Sequence, residues 1–137
     1  MTTSGKPKRR GRKHTAAARA DRHRLYEDSV QDPDASVEFV EAEFRRLTGR
    51  RARLLREDFC GTAKTACEWV RRHTDNRAVG VDLDPEVLGW ARDHNVADLR
   101  KKERARVALV EGDVNKVKSP PQDVVMAMNF SYWIFHE

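Results

Sequence analysis

The residues best suited to binding a small molecule are a glycine in a tight turn and two aspartates, each placed where a buried strand pattern ends. Gly61 lies in "FCGTA", and a glycine there lets a ligand approach the backbone closely. Asp82 follows 21 residues later, where a carboxylate can accept both hydroxyls of a ribose. Asp113 can accept hydrogen bonds from an exocyclic amine such as that of adenine. Together these residue types indicate a nucleoside site.

The glycines that would seat a diphosphate are missing from this turn. Phe59 and Ala63 stand where a glycine-rich turn has its first and last glycines, and neither the dinucleotide fingerprint G-x-G-x-x-G nor a P-loop is present. A nucleoside without phosphates therefore fits the turn better. Thr62, at the start of the following helix, can leave amide hydrogens pointing at the ligand.

Alternating elements must position these residues. Apolar periodicity predicts a first helix from about Asp34 to Thr48, capped by Asp32 or Asp34 and ended by Gly49. Four strand patterns and two further helices follow, which predicts an α/β, Rossmann-like parallel sheet with helices on both faces. The apolar stripe of the first helix is Val37, Val40, Phe44 and Leu47, and the small face of the second is Ala63, Ala66, Cys67 and Val70. The strands are expected within residues 52–59, 77–83, 105–114 and 122–130, the later helices within 62–73 and 84–95, and a loop at 118–122.

Charge divides the 137-residue chain into a basic arm and a domain. Residues 1–24 hold nine Lys or Arg and one acid, whereas residues 25–137 hold eighteen basic and twenty-one acidic residues, a net charge of −3. The arm is expected to be disordered. Residues 6–14 are either a solvated tail or a weak nucleic-acid contact.

The composition excludes several classes of protein. No apolar run approaches the length of a membrane span, and the basic N-terminus lacks the apolar segment of a signal peptide, so a cytoplasmic protein without a membrane partner is expected. Cys60 and Cys67 match no zinc spacing and provide no disulfide framework. They are interpreted as small packing residues, and no metal is expected.

Four motifs, in this order and spacing, resemble the class I S-adenosylmethionine-dependent methyltransferases: "LREDFCGTA", "AVGVDLDPEVLGWAR", "VEGDV" and "DVVMAMNFSYWIF". The resemblance covers about residues 24–137 and is closest to a branch whose members are mostly known as methyltransferases only by inference. It implies S-adenosylmethionine as cofactor and a methyl acceptor, small or macromolecular, that the sequence does not identify.

The resemblance also implies site residues. Glu57 would organise the methionine end, Asp82 would hold the ribose and Leu83 would pack on the adenine. Asn129 and the aromatic residues after it would face the methyl group, and no residue is assigned as a general base. The remaining cofactor contacts would be Phe59, Cys60, Gly61 and Thr62 at the amino-acid and sulfonium portion, and Asp113 and Val114 at the adenine.

Two further expectations concern the end of the chain. "NFSY" loosely resembles the Asn-Pro-Pro-Tyr motif of amine methyltransferases, although its aromatic residues are better interpreted as the start of a core helix. Complete members of the superfamily use about seven strands in their doubly wound sheet. With about four here, the chain is expected to be a truncated product, a fragment, or a half-domain that needs a partner chain. The alternatives to a methyltransferase are a nucleic-acid-binding module that uses the arm and a nucleotide-dependent oxidoreductase.

Overall fold

The computed structural model describes residues 32–127 as a parallel sheet flanked by helices. The strands are β1 (Leu54–Asp58), β2 (Arg77–Asp82), β3 (Val107–Glu111) and β4 (Val124–Met126). The helices are α1 (Pro33–Thr48), α2 (Lys64–Arg72), α3 (Pro85–Ala91), a π-helical turn (Arg92–Val96) and α4 (Lys101–Arg104). All neighbouring strands are parallel, in the order β3-β2-β1-β4. The predicted fold class is confirmed.

Helix α1 has the predicted caps at both ends. The Asp32 carboxylate accepts a hydrogen bond from the Ala35 amide, and Gly49 ends the helix with a positive φ of 75°. Val37 is fully buried. The prediction that Leu47 faces the core is wrong, since Leu47 is 71% exposed. Residues 45–50 are all exposed, so the last turn of α1 extends past the core.

Helix α2 begins two residues later than its sequence pattern predicts. Ala63 stands at the N-cap with a φ of 58°, a left-handed conformation that cannot continue into a helix, so the first helical residue is Lys64. The small face is buried as predicted, because Ala66, Cys67 and Val70 are inaccessible to solvent. Trp69 is buried as well and donates its indole N–H to the Arg53 carbonyl oxygen at 3.1 Å.

The strand order places the topological switch point of the sheet beside β1. Consecutive strands run from β1 through β2 to β3 on one side, whereas β4 pairs with the opposite side of β1. At such a switch point the connections leave in opposite directions, and ligands of open α/β sheets bind outside the carboxyl ends of the strands there. The "FCGTA" turn follows β1 directly.

Gly80 allows that turn to pack closely on β2. A Cβ at this position would lie 2.9 Å from Cys60 Sγ and 2.9 Å from Leu109 Cδ2. We expect Gly80→Ala to lower the free energy of unfolding by about 1–2 kcal/mol, because both neighbours belong to the packed interior. Urea denaturation measures the change. Gly89→Ala in α3 is the matched control, since in the described part of the chain no atom outside the adjoining residues and the backbone of the helix itself lies within 4 Å of its added Cβ, and it should instead stabilise by about 0.5–1 kcal/mol.

Several predicted features lie outside the described residues. These are the basic arm, Asn129, and the aromatic residues that follow it. Among residues 32–127, no helix has both the length and the apolar character needed to cross a membrane. The connection from β3 to β4, residues 112–123, contains turns and irregular backbone.

Candidate functional site

Asp82 joins the loops that follow three strands. Its Oδ2 accepts a hydrogen bond from the Gly61 amide at 2.9 Å, and its Oδ1 accepts one from the Asp84 amide at 3.0 Å. Its main-chain carbonyl accepts one from the Gly112 amide at 2.9 Å. Each carboxylate oxygen has a second lone pair, so the half-buried side chain can accept further hydrogen bonds. The structure thus brings together two of the predicted site residues, Gly61 and Asp82.

The turn between β1 and α2 has left-handed backbone at three alternate positions. Phe59, Gly61 and Ala63 have φ values of 56°, 54° and 58°. These are the positions at which the resembled motif has glycines, so the chain keeps a glycine-type backbone with only one glycine. Within residues 32–127, no atom beyond Gly61 and its two chain neighbours lies within 4 Å of the position that a Cβ would take there, which leaves space beside the backbone.

The left-handed backbone of Ala63 is strained, and the effect of a glycine substitution on stability measures this strain. The conformation costs about 1–2 kcal/mol for a residue with a Cβ, whereas a buried methyl group contributes about 0.8 kcal/mol. We therefore expect Ala63→Gly to change the free energy of unfolding by less than about 1 kcal/mol. Ala66→Gly is the matched control, because Ala66 is equally buried but helical, and it should cost about 2 kcal/mol. Equal losses in the two variants, measured by urea denaturation, would show that Ala63 carries no strain.

Glu57 is a buried carboxyl group at the head of the turn. It is 1% exposed, and its Oε2 accepts a hydrogen bond from the Ala66 amide in the first turn of α2 at 3.0 Å. Ala63 at the N-cap has no side-chain acceptor, so Glu57 satisfies this amide from β1. Burial raises the pKa of Glu57 to about 8, and the negative charge of Asp82 adds to the effect.

The predicted adenine-side residues lie at the edge of the same site. Leu83 is 66% exposed directly after Asp82. The Asp113 Oδ1 accepts a hydrogen bond from the Asn115 amide at 2.8 Å. Asp113 and Val114 are half-buried in the loop after β3, and Gly112 connects this loop to Asp82.

The two cysteines lie in the core. Cys60 and Cys67 are fully buried, and neither forms a disulfide. Burial, with the nearby charges of Glu57 and Asp82, raises the pKa of the Cys60 thiol, so this thiol stays protonated. Within residues 32–127 no group of three or more His, Cys, Asp or Glu side chains is arranged to hold a metal ion.

Sequence reasoning missed two residues that hold the site loops. Asn95, in the π-helical turn, donates from Nδ2 to the Thr62 carbonyl oxygen at 2.9 Å. Arg56, in β1, binds the loop after β3 through the Val114 and Val117 carbonyl oxygens at 2.8 Å and 2.7 Å. A charged residue inside an apolar strand pattern was a signal for Arg56, but nothing in the sequence indicated that Asn95 reaches Thr62.

The site has the chemistry to hold a nucleoside. It offers the open backbone of Gly61, a partly exposed carboxylate in Asp82, and the exposed apolar side chain of Leu83. A carboxylate with spare lone pairs suits ribose hydroxyls, and an apolar surface beside it suits a base. The residues present therefore fit the nucleoside portion of S-adenosylmethionine.

Comparison with solved structures decides the fold. The plantazolicin methyltransferase BpumL, in complex with a pentazolic desmethylPZN analog and SAH, matches 82% of this chain with a TM-score of 0.64 and 11% identity. The plantazolicin methyltransferase BamL, in complex with a triazolic desmethylPZN analog and SAH, matches 82% with a TM-score of 0.60 and 14% identity. This chain has the class I methyltransferase fold. It spans 41% of the length of BpumL and 40% of that of BamL.

The likeness is one of structure. No protein-family model matches the chain, and no curated protein matches it in sequence. At identities of 11% and 14% the two structures establish the fold and not the activity of this chain.

Proposed function

We propose that the chain is the cofactor-binding part of an S-adenosylmethionine-dependent methyltransferase. The observation that carries the proposal is the hydrogen bond between the Asp82 carboxylate and the Gly61 amide, made at the carboxyl ends of β1 and β2 beside the switch point of the sheet. The fold likeness supports it, because BpumL and BamL with the same fold hold SAH. The acceptor of the methyl group is not assigned.

Each part of the cofactor has a proposed partner in the site. Asp82 accepts hydrogen bonds from the ribose hydroxyls, and Leu83 packs on the adenine. Asp113 accepts a hydrogen bond from the exocyclic amine of the adenine, and Val114 lies beside the ring. Glu57 organises the methionine end from its buried position. The backbone of residues 59–62 lines the sulfonium portion, and four of its carbonyl or amide groups already have hydrogen-bond partners within the turn or in the elements beside it.

The proposed reaction requires little acid–base chemistry from these residues. When bound, S-adenosylmethionine supplies a methyl group already activated on a sulfonium sulfur. The described residues bind and orient the nucleoside, so the reacting carbon is held in one place. Proximity and orientation of the reacting groups then lower the barrier. A general base is needed only for an acceptor that is protonated at the working pH, and no described residue is given that role.

Calorimetric titration of the 137-residue chain with S-adenosylhomocysteine tests the proposal. We expect binding with a dissociation constant in the range of about 10–100 µM, and no binding of NAD or ATP. The controls are informative because Phe59 and Lys64 stand where the G-x-G-x-x-G diphosphate cradle has its first and last glycines. A folded chain that binds none of the three, or binds NAD best, would overturn the proposal.

The charge of the N-terminal arm favours a second function. Residues 1–24 carry nine basic residues and one acid, whereas the rest of the chain is net acidic. A nucleic-acid-binding module that uses this arm should bind RNA or DNA with an affinity that falls steeply as salt is raised. Deleting residues 1–14 should abolish that binding. Binding that survives the deletion would exclude the arm as its cause.

A further inference from the structure

Arg56 is a buried cation in the middle of β1. The residue is 8% exposed, and strand alternation places its side chain on the face of the sheet opposite Leu55 and Glu57. A buried guanidinium is costly unless its donors are satisfied, and Arg56 makes four hydrogen bonds with its five N–H groups. Its partners are Asp58 Oδ1 at 2.6 Å, Val114 O at 2.8 Å, Val117 O at 2.7 Å and Ser119 Oγ at 3.2 Å.

Three of these four partners belong to the loop that follows β3. The loop is otherwise folded onto Asp113, whose main-chain oxygen accepts from the Lys116 and Val117 amides at 2.9 Å and 2.8 Å. At the start of the loop, the Gly112 amide donates to the Asp82 main-chain oxygen. The guanidinium therefore holds residues 114–119 of the loop, whereas Asp82 holds its first residue, Gly112.

The orientation of Asp113 depends on this attachment. Val114, whose oxygen Arg56 binds, is the next residue in the chain. One Asp113 oxygen accepts from the Asn115 amide, and its other oxygen has no hydrogen bond to residues 32–127. Holding the peptide groups that follow Asp113 thus fixes the position of its remaining oxygen. This position matters because a carboxylate selects an amine only if it is held in place.

We propose that Arg56 is a positioning residue that sets adenine selectivity through Asp113. The inference rests on the proposed function, in which Asp113 accepts the exocyclic amine of adenine. Arg56 does not contact the cofactor. It keeps the loop in the one arrangement in which the carboxylate meets an amine and repels an oxygen acceptor.

The test compares S-adenosylhomocysteine with S-inosylhomocysteine, in which an oxygen replaces the exocyclic amine. Calorimetry gives a dissociation constant for each, and their ratio is the selectivity. We expect the parent chain to prefer the adenine compound by about tenfold or more, and Arg56→Lys to reduce this ratio by about threefold or more. A purely structural role would lower stability while leaving the ratio unchanged.

Arg106→Lys is the matched control. Arg106 also anchors backbone carbonyls through one guanidinium, since its Nη1 donates to Val70, His73 and Asn76 at 3.0, 2.8 and 2.7 Å. It precedes β3 and so lies at the opposite end of the strands from the site. We expect its variant to lose stability but to keep the selectivity of the parent.

Two milder variants keep the inference open to refutation if Arg56→Lys does not fold. Ser119→Ala and Asp58→Asn each weaken one contact of the guanidinium, and each should reduce the ratio in the same direction. An unchanged ratio in every folded variant would overturn the role of Arg56 while leaving cofactor binding intact. A parent chain that binds neither compound would overturn the proposed function, and with it this inference.

Discussion

Replacing Asp82 with alanine is expected to weaken the binding of S-adenosylhomocysteine by about 10- to 100-fold. In the proposed complex its carboxylate accepts the ribose hydroxyls, and hydrogen bonds to a charged group contribute about 1.5–3 kcal/mol each. The same carboxylate holds the Gly61 amide at 2.9 Å, so the variant also loses the contact that orients the turn. Calorimetric titration of parent and variant measures the loss.

Asp84→Ala is the matched control for this prediction. Asp84 is two residues away and caps α3 by accepting a hydrogen bond from the Glu86 amide at 2.9 Å. Loss of an N-cap costs about 1 kcal/mol of stability, but no role in the cofactor site is proposed for this carboxylate. Circular dichroism should show that both variants keep the fold. An Asp82→Ala chain that binds as tightly as the parent would contradict the ribose assignment.

Glu57→Gln is expected to stabilise the chain at pH 8 by an amount on the order of 4 kcal/mol, and to have little effect near pH 4.5. Burial raises the pKa of Glu57 to about 8 in the folded chain, whereas the ordinary value is 4.5. Between these two pH values the unfolded chain has released a proton that the folded chain still holds. The free energy of unfolding of the parent therefore falls as pH rises through this window, and it levels off above about pH 8.

Urea denaturation at half-unit steps from about pH 4.5 to about pH 8.5 measures this dependence. Other groups also titrate in the range, so the informative quantity is the difference between parent and Glu57→Gln at each pH. The variant keeps an oxygen that can accept from the Ala66 amide, so the cap of α2 is retained. Glu38→Gln, at an exposed glutamate of α1, serves as control and should follow the parent curve. Parallel curves for the parent and Glu57→Gln would contradict the burial argument.

The local elements could be predicted because each depends on residues close in the chain. The caps of α1 follow from Asp32 and Gly49, and the start of α3 follows from Asp84 and Pro85. Apolar runs separated by helical patterns were sufficient to predict the parallel sheet, since few other folds accommodate such an alternation of strands and helices. The basic arm and the segment after residue 127 remain predictions from the sequence.

The errors and omissions have physical causes. Leu47 continues the apolar stripe of α1, but a stripe does not show where the core that it faces comes to an end. Ala63 is a good helix former that tertiary packing holds in a left-handed conformation at the N-cap. Asn95 reaches Thr62 across 33 positions, a contact that no local pattern encodes.

By itself, the sequence determined the order of the four strands and of helices α1 to α3, but not the π-helical turn or α4, and it placed Gly61, Asp82 and Asp113 at strand ends, because these features depend on local periodicity and turn chemistry. Only the tertiary structure decided that Asp82 bonds to Gly61 and that Glu57 is buried enough for its pKa to rise. It alone also decided that Arg56 holds the loop of Asp113. These features arise from the pairing of distant strands, and the hydrogen bonds and desolvation that follow exist only once the sheet has formed.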